Sequence, residues 1–218
     1  MSFRTAILCA GLLACFVPSS AHAADAVNCD VAYQNIAQDY WVIVNDMVQF
    51  KSMFDHYDRI CTQHAPDQIA ALQPTANQLR TQVKRDIDNA RAVMNHLFDE
   101  TFPTMVPAAC KGDAKAREGV KKSFLKNMDD KAAITQKRLD KGYVTNGKDD
   151  PALALCANLA PMKVKVEKHL GPTLEHPLLE MATLHSSLIR HAPKQRKKAF
   201  ALYRAALDDV SAGKETTP

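Results

Sequence analysis

Four cysteines, Cys29, Cys61, Cys110 and Cys156, carry the most definite chemistry in this sequence. None is joined to another by C-x-x-C or C-x-x-C-H spacing, so redox relay, structural zinc and covalent haem attachment lack their usual signatures. An even set in an oxidising compartment is expected to form two disulfides.

Histidines come next: His56, His64, His96, His169, His176, His185 and His191. A helical metal site needs ligands on one face, as in H-E-x-x-H or the paired E-x-x-H of di-iron bundles, and neither pattern occurs. His96 with Glu100 and His176 with Glu180 have four-residue spacing, although Pro177 interrupts the second pair. A noncovalent haem would need axial ligands from facing helices, for which Met47, Met94, Met128 and His96 are the candidates; methionines at helical spacing are more often core filler. No metal ligands are assigned and no cofactor is expected. The absence of G-x-S-x-G and of a P-loop glycine pattern leaves no catalytic residue to assign.

Two surfaces remain as binding candidates. The first is a row of uncharged polar side chains, Gln34, Gln38, Asn45, Gln49, Ser52 and His56, where an ordinary solvated helix face would include Lys or Glu. Such a row suits a polar ligand cleft or a partner groove, in which unpaired charges are costly. The second is the basic cluster Arg190, Lys194, Arg196, Lys197, Lys198 and Arg204, with Lys194, Lys197 and Arg204 set apart from an apolar row of Phe200, Tyr203, Leu207 and Val210. A basic amphipathic helix can make peripheral contact with anionic lipid or dock on an acidic protein, or simply be a core-packed helix with a solvated face. Its aromatics are not interleaved with its basic residues, so nucleic acid is not an expected partner.

These side chains must be positioned by helices. With 218 residues, 24% charged and only 7 glycines, the chain suits one core and lacks alternating β-branched runs. The expected fold is an all-α up-down bundle. Its first helix runs from Cys29 to about His64, with apolar residues Ile36, Tyr40, Ile43, Met47, Phe50, Phe54, Tyr57 and Cys61 at alternating spacings of four and three. A second row, Ala37, Trp41, Val44 and Val48, widens the apolar stripe in the upper half only.

After one turn near Asp67 to Leu72, a second helix carries Leu79, Val83, Ile87, Ala90, Met94 and Leu97 and is expected to stop at Pro103 and Pro107. A third spans about Asp113 to Lys141 with Ala116, Val120, Phe124 and Met128 on one side, and Gly142 and Thr145-Asn146-Gly147 end it. A short helix over Ala152 to Leu159 holds Cys156, Met162 to His169 reads as helix, and Gly171-Pro172 breaks the chain. Leu178 to Arg190 and Lys194 to Val210 close the bundle, leaving a disordered tail after Gly213.

Helix length decides the disulfides. At about 1.5 Å per residue, Cys29 and Cys61 at opposite ends of one helix lie nearly 50 Å apart, whereas bridged Cα atoms stay within about 7 Å. A second helix returning along the first brings Cys110 to Cys29, and a third running back down brings Cys156 to Cys61. The expected bridges are Cys29 with Cys110 and Cys61 with Cys156.

Charge is polarised along the chain. Residues 24–104 hold 6 basic and 11 acidic side chains, and residues 105–218 hold 21 and 13, a distribution best explained by attraction between the two halves. Residues 1–23 have a positive start, an apolar run from Ala6 to Val17 and an Ala21-His22-Ala23 ending, the layout of a cleaved secretory signal. The competing reading is lipidation at Cys15 after Leu12-Leu13-Ala14. The expectation is a periplasmic or secreted, non-catalytic helical protein, with residues 24–212 as one domain, that binds a protein or a small ligand. The alternative is a periplasmic helical bundle carrying noncovalent haem or a metal ion.

Overall fold

The structure, a computed structural model, describes residues 27–71, 73–142, 156, 175–189 and 194–213. Every element among them is helical, and none of these helices is long and apolar enough to cross a membrane. The leader with Cys15, the segments Ala152 to Leu159 (Cys156 apart) and Met162 to His169, the breaks at Thr145-Asn146-Gly147 and Gly171-Pro172, Arg190 and the tail after Gly213 lie outside the described residues.

Helix α1 spans Cys29–His64, 36 residues, as its apolar spacing predicts. Asn28 caps it, its side-chain oxygen accepting the Val31 N–H at 3.2 Å. Ala65 leaves helical geometry after His64. The upper half is enclosed: Tyr33, Ala37, Tyr40, Ile43, Val44, Met47 and Val48 are buried. Below Lys51 the buried positions are Ser52, His56 and Cys61, while Phe50, Phe54 and Tyr57 of the apolar seam are only half-buried. The buried direction therefore rotates off the seam in the lower half. Ser52 tolerates this because its hydroxyl donates to the Val48 carbonyl of its own helix at 3.0 Å.

A six-residue helix, α2 (Pro66–Ala71), leads into α3 (Gln73–His96), which returns antiparallel to α1. Pro103 does not end this return. The helix passes through a π-helical turn, Leu97–Thr101, into α4, Phe102–Met105, and stops at Val106 before Pro107. The wide turn, in which the Phe102 N–H bonds to the Leu97 carbonyl, moves the backbone that an unbroken α-helix would press against the Pro103 ring.

A 3-10 turn, Ala108–Cys110, delivers Cys110 to Cys29. The Tyr33 hydroxyl donates to the Cys110 carbonyl at 3.4 Å, and burial raises the pKa of Tyr33. Helix α5, Ala114–Gly142, then runs down beside α1 in parallel, capped by Asp113, whose carboxylate accepts the Ala116 N–H at 3.0 Å. The bridges are Cys29–Cys110 and Cys61–Cys156, the pairing expected from the length of α1 together with the up-down course of the helices that follow it. Helices α6 (Pro177–Ile189) and α7 (Lys194–Ser211) pack antiparallel to each other and against α1 and α3.

One hydrophobic core joins these elements. Its upper part is a chain of rings. Tyr40 meets Phe102 at 4.8 Å, Phe102 meets Phe98 at 4.7 Å, Phe98 meets Phe124 at 5.8 Å, and Phe124 meets Trp41 edge-on at 5.4 Å. Such contacts contribute about 0.5–1.5 kcal/mol each beyond area burial, and here they fix α5 relative to α1. The buried Tyr40 hydroxyl has its pKa pushed up to about 12 by desolvation.

Candidate functional site

Where α1 and α5 run side by side, their upper halves leave a groove of about 410 Å³. On α1 it is lined by Asp30, Gln34, Ala37, Gln38 and Trp41, and on α5 by Gly119, Val120, Ser123, Phe124 and Asn127. Both sets follow helical spacing, so each is one face of its helix. Ala37, Val120 and Phe124 are buried, Trp41 is half-buried, and the remaining side chains are exposed or partly so. The groove thus has an apolar, aromatic floor and a rim of amide and hydroxyl groups, with one carboxylate, Asp30, and no cationic side chain lining it. Trp41 is the one tryptophan of the chain.

The neutral row on α1 does not present a single surface. Gln34 and Gln38 enter the groove. Lower down, the row is progressively covered. Asn45 and Gln49 are half-buried there, and the Asn45 amide donates to the Asp46 carboxylate at 3.2 Å. Ser52 and His56 are buried, with the Arg59 guanidinium 3.3 Å from His56 Nδ1. The row keeps to one side of α1, but its burial increases downward, and its exposed members are the upper two, Gln34 and Gln38.

The basic end of α7 is likewise divided. Lys194 and Lys197 are exposed, whereas Arg204 is half-buried and ion-paired with Glu180 of α6. Met47 and Met94 are fully buried in the core and Met128 nearly so. Among the described residues no three His, Cys, Asp or Glu side chains converge to hold a metal ion.

Two polar clusters join residues that no sequence motif connects. His176 does not pair with Glu180. Its Nδ1 lies 2.9 Å from Asp86 of α3 and its Nε2 3.0 Å from Asp208 of α7, and as an imidazolium it donates to both carboxylates. The second Asp86 oxygen accepts the Leu178 N–H at 3.1 Å, capping α6 from another helix. The Asp86 hydrogen bond, against the opposing effect of burial, raises the His176 pKa above 6.5. Tyr203, fully buried nearby, has its pKa raised by desolvation and by the Asp86 charge. In the second cluster Asp46, also buried, accepts from His185 Nδ1 at 2.8 Å. The signal in the sequence is an aspartate set within an apolar row, Asp86 between Val83 and Ala90 and Asp46 between Ile43 and Phe50. A charge at such a position must find a partner from another element.

These clusters join helices to one another, whereas the groove is open and braced by rings. Compared with known proteins, the chain matches no family model, no curated protein and no solved structure.

Proposed function

We propose that this chain is an exported, non-catalytic helical binding protein that holds a small uncharged polar ligand in the α1/α5 groove. The observation that carries the reading is the groove itself, a hydrogen-bonding rim, uncharged apart from Asp30, above an aromatic floor. Its volume falls in the range typical of small-molecule sites, about 300–1,000 Å³. The floor sits on the ring chain running from Tyr40 to Trp41, so binding requires little reordering. Export is supported by the two disulfides, which persist in oxidising compartments, and by the signal-like leader.

Gly119 provides the test. A Cβ added there meets nothing within 4 Å, and Gly119 lines the groove, so Gly119→Leu places a bulky side chain at the groove from an unobstructed position. Native mass spectrometry of both proteins, purified from the exported fraction, should find a small molecule retained by the wild type and missing from G119L. A molecule retained equally by both would overturn the groove reading. A visible absorption band in both would establish the haem- or metal-bearing alternative.

A further inference from the structure

The rim and the floor of the groove make different demands, and a ligand must meet both. Gln34, Gln38, Ser123 and Asn127 offer donors and acceptors without charge. Trp41 and Phe124 offer apolar ring surface. A phosphate or carboxylate would find no cation among the lining residues and would face Asp30 instead. A purely aliphatic ligand would leave the polar rim without partners. A pyranose ring satisfies both parts: its faces carry C–H bonds that lie against an aromatic plane, and its edge carries hydroxyls that both donate and accept.

Gly119 is a second, independent observation. It sits within α5, where glycine costs about 1 kcal/mol relative to alanine. Neither a positive φ nor a close neighbour requires a glycine there. Without a side chain, Gly119 presents bare α5 backbone in the groove that Trp41 lines from α1.

We infer that the groove is a saccharide site for one or two uncharged pyranose rings, the first lying against Trp41 and Gly119. Gln34, Gln38, Ser123 and Asn127 bond the ring hydroxyls, and the Asp30 carboxylate accepts from a further hydroxyl at the rim. This rests on the binding function proposed above and adds the ligand class.

Because Trp41 is the sole tryptophan, its emission reports on the groove alone. The probes are cellobiose, maltose and di-N-acetylchitobiose, with glucuronic acid and dialanine as comparators, followed by Trp41 emission and titration calorimetry on the full disulfide-bonded protein. At least one of the three disaccharides should give a saturable change in emission, and glucuronic acid none. Gln38→Ala and Asn127→Ala should each weaken that binding about three- to ten-fold, the share of one neutral hydrogen bond. Gly119→Leu should abolish it while melting no lower than the wild type, which separates a filled groove from a misfolded protein. Dialanine binding without any disaccharide binding would overturn the saccharide class and leave the groove reading intact. Silence of all three disaccharides overturns the inference, and the groove reading then stands or falls on the molecule recovered by native mass spectrometry. Undiminished disaccharide binding by G119L would overturn both.

Discussion

Asp86 and Asp46 are two answers to the same problem. Each is a buried aspartate within an apolar helix row, and each takes a hydrogen bond from a histidine in or next to α6. At Asp86 the histidine is 4% exposed, held between two carboxylates, and the aspartate also caps a helix, so α3, α6 and α7 meet at one imidazole. At Asp46 the histidine is 27% exposed, meets one carboxylate and rests edge-on against Phe50 at 5.8 Å. The first is a three-way lock and the second a single tether. The contrast teaches that a buried charge matters according to how many orphaned groups depend on it. Removing Asp86 leaves a buried imidazole with only the exposed Asp208 carboxylate and deprives a helix-terminal N–H of its acceptor, whereas removing His185 leaves Asp46 with the Asn45 amide still donating to it.

The most damaging way to probe this contrast is Asp86→Ala. Breaking one side of a buried pair costs about 3–5 kcal/mol, and urea denaturation should show a loss of that size. A loss no greater than that of the tether variant would erase the distinction. His185→Ala should cost less, about 1.5 kcal/mol, the low end for a hydrogen bond to a charged group, because the ring is partly solvated.

A smaller effect follows from pH. The His176 pKa is raised in the folded state, so the stability it contributes is complete below about 6.5 and is lost as pH rises through the folded value. The groups facing it are Asp86, Asp208, Tyr203 through its contact with the Asp86 charge, and Arg85, whose charge opposes the rise. Melting temperature followed upward from pH 6 should decline in the wild type more than in an Asp86→Asn variant; equal slopes would mean that this junction does not titrate. The smallest expected change is for Asp208→Asn, under about 1 kcal/mol, since that carboxylate is 54% exposed. It should turn the lock into something closer to the His185 tether. A loss as large as that of D86A would place the weight of the junction on its solvent side.

The long helices are legible from apolar periodicity alone. The first helix ends where its seam ends, and its length, with the up-down course of the next helices, settles which cysteines meet. Pro103 misleads because a lone proline looks like a stop, when a π-helical turn just upstream absorbs it. The groove is half legible: Gln34 and Gln38 stand out as uncharged, but their opposite wall, Gly119, Ser123 and Asn127, lies some eighty residues onward on a face that looks like ordinary exterior. The two junctions are illegible as pairs, since 90 residues separate His176 from Asp86 and 139 separate His185 from Asp46. Sequence shows only a charge standing in an apolar row, without its partner.

The crossed order of the bridges has a consequence for how the protein is made. On the export proposed above, the chain enters an oxidising compartment from its N-terminus and presents Cys29 and Cys61 before Cys110 and Cys156 arrive. Oxidation in order of appearance joins the first two, a bond that the extended α1 cannot contain. Native protein therefore depends on thiol–disulfide exchange that undoes the early bond, or on α1 forming first and holding the two sulfurs apart. The two routes differ in a cell lacking a disulfide isomerase: the Cys29–Cys61 species should accumulate if exchange is needed, and should be absent if the opening helix forms first and acts as a proofreader.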